Sequence, residues 1–99
     1  MSFVTTQPES LTASASTLQG VGCAVNALSA AAAGPTTAIV PAAGDEVSAL
    51  TAAQFAAHGH LYQAVSAQAA AIHEMFVQVL GVSAGSYSAT EAANAAAAR

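Results

Sequence analysis

Two segments of this chain carry apolar residues at helical spacing, and they are separated by helix-breaking residues. The first segment leads up to Gly34-Pro35, and the second follows Pro41. An amphipathic helix must bury its apolar stripe against another element. The sequence therefore predicts an all-α fold, an antiparallel two-helix hairpin (helix-turn-helix) in which each helix can cover only part of the other.

The composition points to association and argues against several classes of function. A chain of 99 residues is predicted to form one domain at most; 55% of its residues are hydrophobic and 6% are charged, against about 25% charged residues in ordinary soluble domains. A hairpin encloses too little space for a sizeable core, so we expect it to need a partner for stability. Arg99 is the only basic residue and the formal net charge is -4, which disfavours binding to nucleic acid or anionic lipid.

Local signals predict the first helix. Thr6–Glu9 has the form of a capping box with Thr6 as the N-cap, and Pro8 is compatible with a first helical turn. The helix is predicted over residues 7–33 and ends at Gly34-Pro35. Its apolar stripe contains Leu11, Leu18 and Val25, with Val21 and Leu28 three residues beyond the last two.

The second helix follows a short connector at residues 34–44. Asp45 and Glu46 lie where the positive end of a helix dipole favours negative charge, and the helix is predicted over about 45–83. The segment 84–99 is predicted to be a flexible or context-dependent tail, because Val82 to Ser86 has weak helix propensity.

Two apolar stripes run along the second helix. One contains Val47, Leu50, Leu61, Val65, Ile72, Met75 and Val79, and the other contains Phe55, Tyr62, Ala69 and Phe76. The second helix is also predicted to be longer than the first by more than about ten residues, which leaves residues 72–80 without an intrachain partner. This surplus apolar surface predicts a protein interface; self-association through the same stripe is the alternative.

The polar residues do not converge on a catalytic or metal site. His58 and His60 point about 200° apart on a helix, and His73 lies about 20 Å further along. No phosphate-binding loop or nucleophile elbow is present in the sequence. The single cysteine, Cys23, is interpreted as a small packing residue, with intermolecular pairing as the alternative. We therefore predict no enzyme activity, no metal and no cofactor.

No stretch of the sequence is predicted to span a membrane. The long uncharged run at residues 10–44 is interrupted by polar residues, glycine and proline. The N-terminus also lacks the positive region and leucine-rich core of a secretory signal. These features taken alone predict a cytoplasmic protein.

Three features together resemble a known family. They are Met1–Val4 leading to Pro8 and Glu9, an alanine-rich helical hairpin, and Tyr87-x-x-x-Glu91 after the predicted second helix. This combination closely resembles the PE family of mycobacterial proteins, named for its Pro-Glu pair, over essentially the whole chain. The chain resembles a short member that consists of the PE domain only.

The resemblance implies a partner and an export route. PE proteins pair 1:1 with a PPE-family protein in a four-helix bundle, which a type VII (ESX) secretion system exports from the cytoplasm to the cell envelope, the cell surface or outside the cell. Tyr87 and Glu91 match the family's YxxxD/E secretion signal. The implied partner interface consists of Leu61, Tyr62, Val65, Ala69, Ile72, Phe76, Val79 and Leu80. An alternative function is that the exported PE/PPE pair assists solute uptake or permeability at the mycobacterial outer membrane.

Overall fold

The protein consists of two long α-helices. A computed structural model describes residues 4–99, so Met1–Phe3 of the sequence pattern lie outside the described residues. Helix α1 spans Pro8–Thr37 and helix α2 spans Glu46–Ala97, and residues 4–99 contain no β-strand. The all-α prediction is confirmed, and the two helices are consistent with a hairpin.

Helix α1 begins at Pro8, but the predicted capping box is wrong. Proline is favoured at this first position because its missing N–H would have no intrahelical acceptor. The first turn is closed by the Ser10 amide, which donates to the Gln7 carbonyl oxygen at 3.0 Å. Gln7, directly before Pro8, therefore occupies the cap position, and Thr6 instead donates from its hydroxyl and its amide to the distant carboxylate of Glu91.

The predicted end of the first helix at Gly34-Pro35 is also wrong, because α1 continues to Thr37. No glycine in the described part of the chain has a positive φ, so Gly34 does not adopt the left-handed conformation of a C-terminal cap. Pro35 lacks an N–H, but the helix is supported beyond it. The hydroxyls of Thr36 and Thr37 donate to carbonyl oxygens one turn back, each at 2.6 Å.

Asp45 caps the start of α2. Its carboxylate accepts hydrogen bonds from the Ser48 amide at 3.0 Å and from the Ser48 hydroxyl at 2.6 Å. These bonds lower the pKa of Asp45, because they favour its ionised form. Of the two acidic residues at the predicted helix start, Asp45 is therefore the one that caps the helix. The connector between the helices consists of residues 38–45.

The second helix is longer than the sequence predicts. We expected it to end at about residue 83 with a flexible tail at 84–99, whereas α2 continues to Ala97. Each glycine in this stretch disfavours helix by only about 1 kcal/mol relative to alanine, and the following alanines favour it. Packing also holds the segment, because Ala84 is only 3% exposed and Glu91 is bonded to Thr6.

The chain forms two compact units, each containing part of both helices. Unit one comprises the chain up to Gly22 together with His73–Arg99, and unit two comprises Cys23–Ile72. In unit one, His73 Nε2 lies 2.6 Å from the Leu18 carbonyl oxygen and Glu91 binds Thr6, so the two helix segments run antiparallel. The predicted absence of an intrachain partner at residues 72–80 is therefore wrong for His73.

Unit two is also antiparallel. Ser29, in the second half of α1, accepts a hydrogen bond at its carbonyl oxygen from the side-chain Nε2 of Gln63, at 2.9 Å. The Ser66 hydroxyl donates to the Ser29 hydroxyl at 3.2 Å. Gly59 lies against the Thr36 backbone. Earlier positions in this part of α2 therefore contact later positions in α1.

The most deeply buried side chains in both units are small. The buried hydrophobic residues are Ala15 and Ala84 in unit one and Ala52 in unit two, and Ser29 is the buried polar residue. No large side chain among the described residues is fully buried. The heptad-spaced large residues were expected to form the seam between the helix segments, but of the α1 stripe only Leu11 and Leu18 are half-buried.

The apolar character of α2 does not agree with the prediction that no stretch of the sequence could span a membrane. It contains an 18-residue window with a mean hydropathy of 1.2, none of which is buried. By length and composition alone, this helix could cross a membrane, although a helix of a soluble protein can pass the same test. The prediction that no stretch qualifies as a span considered the run at residues 10–44 and overlooked the alanine-rich length of α2.

Candidate protein interface

Large apolar side chains lie on the outside of unit one. Met75, Phe76, Val79 and Val82 on α2 are exposed, as is Val21 on α1. The half-buried seam residues of this unit include Leu11, Leu18, Val77 and Leu80. Unit one therefore buries some of its own large side chains and leaves a second set in contact with solvent.

Unit two exposes a larger set of apolar side chains. The exposed residues are Val25, Leu28, Val40, Val47, Leu50, Phe55, Leu61, Tyr62, Val65 and Ile72. Some of them border an open groove of about 640 Å³ between the two helix segments. The groove is lined by Val25, Leu28, Ser29, Ala32, Pro35, Thr36, Ile39, Phe55, His58, Gly59 and Tyr62. Its wall is a concave, predominantly apolar surface of the kind that receives side chains from a partner.

Close helix approach explains why these side chains face outward. A Cβ at Gly59 would collide with the Thr36 carbonyl oxygen, and a Cβ at Gly22 would lie 2.8 Å from His73 Cδ2. A seam that admits little more than a hydrogen at these positions has no room for Phe or Leu. Burying one such side chain is worth about 1.5–3 kcal/mol, so covering the exposed set with a partner would contribute a substantial favourable free energy of association.

The interface residues predicted from the sequence occupy both units. Leu61, Tyr62, Val65, Ala69 and Ile72 are exposed in unit two, and Phe76 and Val79 are exposed in unit one. Leu80 differs, because it is half-buried. The sequence interpretation did not place the groove residues of α1 in the interface. Their helical spacing was visible, but it was assigned to the intrachain seam.

The sequence interpretation required a helical turn to bring Tyr87 and Glu91 together. These two residues lie one turn apart within α2. The Tyr87 side chain is 46% exposed. Glu91 is half-buried, and its Oε1 atom accepts hydrogen bonds from Thr6 N at 2.9 Å and Thr6 Oγ1 at 3.0 Å. Thr6 was not predicted in this role, because no local pattern links residues that are 85 positions apart.

The remaining candidate residues for chemistry are dispersed. Among residues 4–99, no three His, Cys, Asp or Glu side chains are close enough to hold a metal ion. His73 is used in packing, and its Nε2 must donate to the Leu18 carbonyl oxygen because that oxygen can only accept. Cys23 is exposed, so its interpretation as a packing residue is wrong; the tight part of the seam is at neighbouring Gly22.

Comparison with known proteins identifies the family. The sequence pattern of the PE family matches residues 4–94. The chain belongs to the PE family. Its similarity to the PE family protein PE13 of Mycobacterium tuberculosis (strain ATCC 25618 / H37Rv) is 64% identity over 98 residues, covering 99% of each chain. Pro8 and Glu9, the pair that suggested this family, are the first two residues of α1.

Other relatives from the same strain are much longer than this PE-family chain. PE family protein PE8 is 60% identical over 98 residues, and the chain spans 36% of its length. PE-PGRS family protein PE_PGRS33 is 56% identical over 96 residues, and the chain spans 19% of its length. The two helices described above therefore correspond to the part of these mycobacterial proteins that this chain shares.

Proposed function

We propose that this PE-family chain is the non-enzymatic half of a 1:1 heterodimer with a PPE-family protein. The observation that carries the proposal is the inverted distribution of apolar residues. Alanine, glycine and serine occupy the buried seam, whereas Phe55, Leu61 and Phe76 are among the large residues left exposed. Two partner helices laid against these surfaces would complete a four-helix bundle and supply the apolar cover that the chain cannot provide for itself.

The proposed interface has one part in each unit. In unit two, the groove beside Phe55 and Tyr62 would accept apolar side chains of the partner. In unit one, Phe76 and Val79 would pack against a partner helix. The low content of charged residues fits the centre of an interface, which is depleted of charge relative to the rest of a protein surface.

We further propose that the pair is exported by a type VII secretion system to the cell envelope, the cell surface or outside the cell. Family membership and the Tyr87-x-x-x-Glu91 spacing support this role, and the exposed phenol of Tyr87 is available for recognition. The proposed activity is binding and targeting, without catalysis or a cofactor.

Co-purification with a candidate PPE protein tests the heterodimer. The chain and the complex would each be analysed by size-exclusion chromatography with light scattering. We expect a 1:1 complex with the partner, and an insoluble or polydisperse chain without it. A well-folded homodimer that binds no PPE protein would instead support self-association through the same apolar surfaces and contradict the proposal.

A variant pair tests the export signal. Tyr87→Ala should abolish export while leaving the PPE complex intact, because Tyr87 lies outside the proposed partner interface. Ser88→Ala, at the neighbouring exposed position, is the control and should be exported normally. Simultaneous loss of export and of complex formation in Tyr87→Ala would show that Tyr87 belongs to the partner interface rather than to a separate signal.

A second candidate function is that the exported pair assists solute uptake at the outer membrane. The specific observation in its favour is the apolar window of α2, which is long and hydrophobic enough to enter a bilayer. The test is uptake of a labelled small solute in a deletion strain. A defect that only the paired genes restore would favour this function, and unchanged uptake would count against it.

A further inference from the structure

We infer that Thr6 belongs to the export signal as a positioning residue, which docks the N-terminal segment at residues 4–7 on Glu91 and so completes the signal only in the folded hairpin. This inference rests on the export role proposed above and specifies how the Tyr87–Glu91 turn is presented.

The contact between Thr6 and Glu91 joins the two ends of the chain within unit one. Both hydrogen bonds end on the same atom, Glu91 Oε1, and they come from the backbone and the side chain of one residue at 2.9 and 3.0 Å. Hydrogen bonds to an ionised carboxylate are roughly twice as strong as those between neutral groups. Because 85 residues separate the partners, these bonds can form only after the two helix segments of the unit have packed.

The two residues of the signal have different environments. Tyr87 is 46% exposed and can be contacted by another protein. Glu91 is half-buried, and its Oε1 is already occupied by Thr6. One helical turn of α2 links them, so anchoring Glu91 also restrains the turn that carries Tyr87. Tyr87 is therefore the residue that the machinery contacts, whereas Glu91 acts through its bond to Thr6.

With this division of roles, the signal is complete only when the chain is folded. An unfolded chain contains the same tyrosine and glutamate, but it lacks the docked N-terminal segment beside them. A receptor that recognises Tyr87 together with this segment would select the folded hairpin over the unfolded chain. Thr6 lies outside the Tyr87-x-x-x-Glu91 spacing, so its effect on export separates this inference from a signal read as a linear motif.

Export of the full chain, co-produced with the PPE protein that co-purifies with it, provides the test. Thr6→Val removes the hydroxyl donor, Thr6→Ser retains it, and Thr5→Val makes the same change at the preceding exposed position. We expect Thr6→Val to lower export about ten-fold, the effect of losing one hydrogen bond to a charged group. Thr6→Ser and Thr5→Val should be exported at the normal level.

Variants of Glu91 determine whether its charge or its bonding matters. Glu91→Gln keeps an acceptor oxygen for Thr6 and should retain more export than Glu91→Ala. Adding Thr6→Val to Glu91→Ala should cause no additional loss, because both changes remove the same contact. In the complex, hydrogen exchange at the Thr6 amide should be slow in the unaltered chain and fast in Glu91→Ala.

Three outcomes would overturn the inference. Normal export of Thr6→Val, with export of Tyr87→Ala blocked, would leave the proposed function standing and remove Thr6 from the signal. A loss of thermal stability or of partner binding in Thr6→Val that matches its export loss would show a purely structural role. Normal export of Tyr87→Ala would overturn both the proposed signal and the inference.

Discussion

The two units differ in the residues that pack between their helix segments. In unit one, Leu18 and Leu80 are among the half-buried seam residues, and His73 and Glu91 add hydrogen bonds across it. In unit two, the seam is formed by alanine, glycine, serine and Gln63, while most large apolar residues are exposed. Fewer large apolar side chains of unit two are buried in its own seam, so we expect its stability to depend more strongly on the proposed partner.

Removing an apolar side chain beside the groove should have the largest effect on partner binding. Phe55→Ala is expected to weaken the PPE complex by about 2–4 kcal/mol, because it removes an exposed aromatic side chain that the proposed partner would bury. Gln54→Ala, at the adjacent exposed position of α2, is the matched control and should change binding little. Titration calorimetry or competition for the partner would measure both. Equal effects of the two substitutions would contradict the assignment of the groove to the interface.

Enlarging a glycine should distinguish the tight seam from the open surface. At Gly59, an added Cβ would meet the Thr36 backbone oxygen, which cannot move aside cheaply. Gly59→Ala should therefore destabilise the complex by about 1–3 kcal/mol despite the better helix propensity of alanine. Gly81→Ala, with no neighbouring atom within 4 Å, should stabilise it by up to about 1 kcal/mol. Thermal unfolding that ranks the two variants in the opposite order would contradict the close approach at Gly59.

The sequence predicted the elements of the fold better than their packing. Apolar periodicity and the acidic residues at Asp45 and Glu46 are local signals, and they correctly indicated two helices and the start of α2. The helix ends were misjudged because Gly34-Pro35 and the glycines after Leu80 lower helix propensity by amounts that hydrogen bonding and packing overcome.

The seam was misjudged for a different reason. Large residues such as Val25 and small residues such as Ser29 both recur at helical spacing, and periodicity alone does not decide which set faces the other helix. The structure places the small set inward, because Gly22 and Gly59 permit close approach. The contact between Thr6 and Glu91 could not be predicted either, since it depends on the register of the folded hairpin.

The hydrogen bonds of Ser29 should contribute a smaller amount to unit two. Ser29 is buried, and it accepts hydrogen bonds from Ser66 and Gln63. Ser29→Ala removes the hydroxyl acceptor of Ser66 and should lower the free energy of unfolding by about 0.5–1.5 kcal/mol. Ser16→Ala, at an exposed position of α1, is the control. Urea denaturation of the complex would measure the difference, and identical midpoints would show that the Ser29 hydroxyl contributes nothing.

The cap of α2 should give the smallest effect, and the effect should depend on pH. Hydrogen bonds from the Ser48 hydroxyl and amide lower the pKa of Asp45 in the folded chain. A lowered folded pKa means that the contribution is present above the unfolded pKa and is lost as the pH falls through the folded value. Between about pH 5 and pH 3, the unaltered chain should therefore lose a small part of its stability that Asp45→Asn, which keeps an acceptor oxygen, does not lose. Thermal unfolding of both complexes across this range measures the difference. Because Asp45 lies at the start of α2 in unit two, parallel pH profiles would mean that its charge contributes nothing to the stability of that unit.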